Sequence, residues 1–312
     1  MAINPSDTEF AIAVGTADTV TPTAPAFKRL ETIVGSNLNA TADPIESQTR
    51  RKGRTNAGQR LVNPRVEGTL NTEFVAGDAA TELLLESAFS GKFDEDGLLK
   101  AGTTETHLFV ERKWQDGTNS MFTRYAGCMV SELALNAEFG GIVTADFTVL
   151  GLGRLAPATT AIAGATYADA STAEKLAGPD VKNITIEGLG EVDYSTLALT
   201  VSQARETQGK LGSAFARGIG TSGKTVELAV SLYRKDFGPE NLIQNGIENP
   251  AVSISFDMVF DGAGYRVIIP AAQPSFPEDA EEGANQMVNV TFAPIGDAES
   301  GTDIMIQRLP VA

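Results

Sequence analysis

The segment Gly218-Ile-Gly-Thr-Ser-Gly223-Lys224-Thr225 satisfies the G-x-x-x-x-G-K-[ST] template of a phosphate-binding loop. In that template backbone amides cradle the phosphates, the lysine meets the β and γ groups, and the hydroxyl takes magnesium. The chemistry needs a buried strand before the loop and a helix N-terminus after it. Here the preceding Leu211-Gly-Ser-Ala-Phe-Ala-Arg217 is polar and broken by glycine, and Lys224-Thr225 run straight into the alternating Val226-Glu-Leu-Ala-Val-Ser-Leu232. A glycine-rich connection leading into a strand is therefore expected. A nucleotide hydrolase using Lys224 and Thr225 is the rival reading from the enzyme class.

Other reactive side chains stand alone. His107, the single histidine, has no partnered nucleophile or ligand nearby, so a surface or capping role is expected. Cys128, the single cysteine, sits in the apolar Tyr125-Ala-Gly-Cys-Met-Val130 and reads as a buried small hydrophobe. The acidic Phe93-Asp-Glu-Asp-Gly97 lacks the ligand spacing of an EF-hand loop and reads as a solvated turn. One Cys excludes an internal disulfide and one His a histidine-rich metal site. No catalytic residue, cofactor or metal is expected.

The remaining candidates are charges. The 312 residues carry 24 Lys+Arg against 40 Asp+Glu, a net charge of -16. Such an excess of acid opposes a surface built to grip nucleic acid phosphates. Within it, Arg50, Arg51, Lys52, Arg54, Arg60 and Arg65 fall in one short polar stretch without interleaved aromatics to stack bases. A loop docking on the acidic face of another subunit is the expected role. A sparser set, Arg205, Lys210, Arg217 and Lys224, occupies the equivalent stretch further on.

The elements that must position these charges occur twice. Glu46-Ser-Gln opens the first polar stretch and Glu206-Thr-Gln the second; Val66-Glu67 and Val226-Glu227 close them, all at an interval of 160 (206 − 46, 226 − 66). Val66, Leu70 and Phe74 then alternate with polar residues, as do Val226, Leu228, Val230 and Leu232, which is the pattern of half-buried strands. A short helix follows each. In the first, Asp78 can cap, Ala80, Leu83, Leu84 and Ala88 share a face, and Gly91 is a stop. In the second, Gly238 to Ile247, Pro239 suits the first turn.

Asp116-Gly117 and Asp261-Gly262 each join two apolar runs, a strong hairpin signal. Closing strands Val143 to Gly151 and Val288 to Gly296 end the two copies, at an interval of 145 (292 − 147, 296 − 151). The fold expected is mainly β: two tandem copies of a β-sandwich or half-barrel, each with one short flanking α-helix. The first copy spans 1–155, an Ala/Thr/Gly-rich linker 156–180, and the second copy 181–312. The opening MAINPSDTEF lacks a signal-peptide pattern, and no apolar run approaches the roughly 18 residues of a bilayer span. A soluble chain made in the cytoplasm, without a membrane partner, is expected.

Glu46-Ser-Gln, the Arg- and Gly-containing stretch, Arg65-Val-Glu-Gly-Thr-Leu70 and Ala79-Thr-Glu-Leu-Leu-Leu85, with the hairpin and closing strand, resemble the tail tube (major tail) proteins of tailed bacteriophages. The resemblance implies a β-sandwich whose inner sheet joins its neighbours' sheets into a barrel, six domains to a ring. With two domains per chain, three subunits would close it with pseudo-sixfold symmetry. It also implies a virion protein, assembled with itself and with tape measure, tail tip and terminator proteins, through which genomic double-stranded DNA passes without specific binding. Glu67, Glu73 and Glu227, on the polar faces of the repeated strands, are the candidates for lining the lumen. A monomeric two-domain binding or decoration protein of the virion is the remaining alternative.

Overall fold

A computed structural model of the chain describes residues 7–47, 49, 58–117, 119–243 and 247–309. The chain is mainly β, with short helices beside the strands. The first half contains β1 (Thr8–Val14), β2 (Ala26–Leu30), β3 (Asn37–Glu46), β4 (Gln59–Glu73), α1 (Ala79–Phe89), β5 (Leu98–Lys100), β6 (Leu108–Asp116), β7 (Asn119–Glu138), β8 (Thr144–Gly151) and β9 (Gly153–Arg154). After β10 (Thr166–Ala168) and β11 (Val181–Ile186) come β12 (Tyr194–Gln208), β13 (Gly218–Tyr233), α2 (Gly238–Asn241), β14 (Val252–Phe260), β15 (Ala263–Pro274), β16 (Glu278–Glu282), β17 (Asn285–Pro294) and β18 (Met305–Leu309).

Local chemistry explains most of these boundaries. The Asp78 carboxylate accepts from the Thr81 backbone N–H at 2.8 Å and so caps α1. The helix ends on Ser90 rather than Gly91: Ser90 takes the left-handed conformation (φ 48°), and the Gly91 N–H closes the last turn on Glu86 O. Gly91 is needed for space instead, because a Cβ there would meet Lys100 O at 2.2 Å. Asp261 and Gly262 both adopt positive φ (48° and 80°), the pairing that a two-residue hairpin between β14 and β15 demands. The expected second helix is shorter, a single turn from Gly238 to Asn241 with Pro239 in it.

The strand β7, 20 residues long, belongs to two layers. Its start pairs with β6 as far as Cys128, and from Met129 it pairs with β8. The corner is Gly127, with φ 60° and the Leu152 side chain 2.6 Å from where a Cβ would lie. Outside the corner, β6 continues to β1 and β2; in the second half β14 links β11 to β15, and β15 links to β18. Phe10 and Val110 from the outer layer pack in one apolar cluster with Leu70, Phe147, Leu199 and Phe256. This cluster includes residues of both halves.

Segment 156–180 is stitched to the first half: β10 pairs in parallel with β2, and Ala158, Lys175 and Ala177 bridge to Phe122, Val75 and Ile142. The closing strands also sit differently from the sequence interval. Phe147 lies opposite Leu70, but Phe292 lies opposite Leu228 rather than Val230, two residues along. A two-residue slip keeps every side chain on its own face, so alternation alone could not distinguish the registers.

On β14, the Asp257 carboxylate takes two bonds from Arg266 (2.6 and 2.8 Å) and one from Asn183 (2.8 Å). The Arg266 guanidinium holds its pKa below the ordinary carboxylate value. A depressed carboxylate stabilises above its unfolded pKa of about 3.9, and the contribution disappears as pH falls through the folded value. Asp257→Asn should therefore melt below wild type at neutral pH, with the gap closing under acid. A gap that persists unchanged at low pH would contradict this assignment.

Candidate functional site

The feature that brings the charged candidates of both halves together is a single sheet surface. Eight antiparallel strands run in the order β3, β4, β8, β7, β12, β13, β17, β16. The two halves meet at β7 and β12, which pair from Glu138↔Thr196 to Glu132↔Ser202. One face is the buried side: Val66, Leu70, Leu133, Phe147, Val201 and Leu228 all point into the core. Alternation puts the intervening residues on the opposite face, which is Thr, Ser, Asn and Ala with acids among them.

Glu67, Glu73 and Glu227 all lie on this polar face. Register adds Glu132, Glu138 and Asp146, and at the far edge Glu278 and Glu282. Asp146 was legible as the polar residue between Ala145 and Phe147, but only pairing shows that it shares a face with Glu67. Partial burial raises its carboxyl above the ordinary value. Among the described residues of the sheet, the cations on this face are Arg65, bound to Asp43 (2.7 Å) and Glu67 (2.5 Å), and Arg60, out on the arm opposite Ile45. The surface is thus polar and predominantly acidic, with its cations confined to the β3–β4 arm.

The basic candidates part company. Arg50, Arg51, Lys52 and Arg54 lie outside the described residues. Arg60 is exposed at the start of β4, and Lys210 and Arg217 are exposed in the connection between β12 and β13. Lys224 is half-buried, its Nζ donating to Asp303 at 2.5 Å. Arg205 is buried: its guanidinium donates to Val130 O, to Ser87 O (2.9 Å) and to Ser90 Oγ (2.9 Å). Burial lowers its pKa to about 10. It secures the end of α1 from within the chain and is not available as a subunit contact. Its inward position follows from alternation along β12, where Leu197, Leu199, Val201, Gln203 and Arg205 are all buried; the extra residue opposite Gln203 and Arg205 lies on β13.

The phosphate-loop segment is part of β13. Gly218 pairs with Gln208 and Thr225 with Ser202, so the segment belongs to a strand ladder, and strand rather than helix continues from Thr225 to Tyr233. Cys128 is fully buried, and its thiol is pushed well above the ordinary value by desolvation. The Asp94 carboxylate accepts from Leu98 N within a turn. His107 is half-buried and its pKa is lowered by desolvation.

Two arms leave one end of the sheet. The β4 pairing with β8 begins only at Val66, so Gln59–Arg65 and its β3 partners extend beyond it. Likewise β12 pairs with β7 only as far as Ser202, and the β12–β13 ladder continues to Gln208↔Gly218. Because β4 and β13 run in the same direction, both arms project from the same end. Ile45 and Leu61 are exposed on the first and Leu211 on the second. Compared with family models, residues 6–302 are similar to the one described as phage tail tube protein. Among curated proteins no match is found.

Proposed function

The chain belongs to the phage tail tube protein family, and from that premise we propose that three copies form a ring, that rings stack into the tail tube, and that genomic DNA passes inside. A structural, non-enzymatic role within the virion tail follows from the family. The observation that carries the finer reading is the acidic, cation-poor face of the eight-strand sheet. Placed around a lumen, it repels phosphates and lets duplex DNA slide without counterion-releasing contacts.

The stoichiometry rests on duplication. The arms β3–β4 and β12–β13, each followed by a helix, a hairpin and a closing strand, support two copies, 1–155 and 181–312, joined through 156–180. Two units per chain supply six around a ring from three chains. Stacking such rings is a heterologous contact, which extends as a filament. The exposed arms at one end of the sheet suit that contact. The tape measure, tail tip and terminator proteins are the expected neighbours, and synthesis belongs to the host cytoplasm.

Electron microscopy of the purified protein at high concentration tests this reading. Stacked rings or tubes are expected; persistent monomers would favour the decoration alternative. In virions, Glu67→Lys with Asp146→Lys and Glu227→Lys should leave tubes intact while slowing DNA ejection, and added salt should restore the rate. Ejection at the wild-type rate in low salt would remove these residues from the lumen.

A further inference from the structure

The eight-strand sheet ends on two edges: among the described residues β3 pairs only with β4, and β16 only with β17. Inside the chain, a junction of the same two kinds of edge already exists between β7 and β12. Its register transfers to the free edges through the pairings on the page. Val66 faces Ala40 and Val226 faces Val201, so β3 corresponds to β12 at an interval of 161 (201 − 40). Gly68 faces Val149 and Leu228 faces Phe292, an interval of 143 for β8 and β17. Leu135 faces Ala145 and Asp279 faces Val288, which is the same interval, so Asp279 occupies the place of Leu135.

We propose that the β16 edge of one copy pairs antiparallel with the β3 edge of the next, with Asn39 opposite Glu278 and Leu38 opposite Asp279. The internal counterparts of these pairs are Thr200↔Ala134 and Leu199↔Leu135. The assignment rests on the duplicated tube reading above and gives its ring contact a definite register.

Charge makes the pairing directional. β16 carries Glu278, Asp279, Glu281 and Glu282, so two β16 edges repel each other. The stretch facing it, Gly35-Ser-Asn-Leu-Asn39 at the start of β3, is uncharged and can accept the acidic strand. On the polar face, the Asn39 amide offers a donor to the Glu278 carboxylate. On the inner side, Asp279 is already bound to Arg234, which offsets its charge before it meets Leu38. An edge that refuses its own kind and accepts the other end of the sheet gives a heterologous contact, which closes as a ring.

Paired cysteines test the register. Directly opposite residues have Cβ atoms about 4.5–5.5 Å apart, near disulfide reach, whereas a four-residue slip adds roughly 13 Å. Cys128 is buried and does not compete. Thr200→Cys with Ala134→Cys is the internal control and should form a disulfide within one chain. Asn39→Cys with Glu278→Cys, oxidised after assembly, should give covalent multimers ending at the ring size. Asn39→Cys with Glu282→Cys should give less than about a tenth of that yield. Tubes that form without the Asn39–Glu278 cross-link, or cross-link equally at Glu282, overturn the edge pairing while the tube reading stands. A protein that never assembles overturns both.

Discussion

Arg205→Ala should melt several degrees below wild type, a loss of about 2–4 kcal/mol, while the surviving folded protein still assembles. The guanidinium is buried and serves three acceptors around the end of α1, and charged hydrogen bonds contribute about 1.5–3 kcal/mol each before non-additivity. Ser90 is held in a left-handed conformation that a serine rarely takes, and its hydroxyl is one of those acceptors. Truncation would strand Ser87 O and Val130 O in the core, although it would also relieve the desolvation of an unpaired cation. Arg205→Lys should recover only part of the loss, since one ammonium cannot reproduce the planar fork. Thermal melts with the assembly assay separate the two roles. An unchanged melt with lost assembly would return Arg205 to the subunit interface.

Replacing Ser47–Gly58 with a two-residue turn should leave the melt close to wild type and abolish tube growth. The deleted stretch holds Arg50, Arg51, Lys52 and Arg54, and β3 and β4 remain paired beneath it from Glu46↔Gln59. The fold should survive because, among the described residues, none of the buried core residues lies between Leu38 and Val66. Growth should fail because stacking would lose basic arms facing an otherwise acidic protein. Arg50→Glu with Arg51→Glu should give an intermediate defect that added salt partly relieves. Normal tubes from the truncated protein would show that this arm does not join rings.

Each half also depends on the other. The Tyr265 hydroxyl donates to Glu82 Oε1 at 3.2 Å and accepts from Gly77 N, Arg308 binds Glu82 through two nitrogens (2.6 and 2.7 Å), and Gln203 Nε2 donates to Ala88 O. The first helix is thus fastened by side chains of the second half. These links span 115 to 226 residues in sequence, and nothing in the local pattern around Glu82 announces them.

Sequence alone determined what depends on neighbours along the chain. Period-two alternation fixed the strands at Val66 to Phe74 and Val226 to Leu232, Asp78 fixed the start of α1, and Asp261-Gly262 fixed its turn. It also put Glu67, Glu73 and Glu227 on the faces opposite their apolar neighbours. Tertiary structure decided what depends on pairing between distant strands: that β7 turns at Gly127 and reaches β12, that Phe292 faces Leu228, and that Arg205 meets Val130 O, Ser87 O and Ser90 Oγ at the end of α1. The reason is physical. A strand's own pattern specifies which side is apolar, but the same pattern is satisfied by any partner and by every two-residue slip, so the choice is made by packing of the whole core.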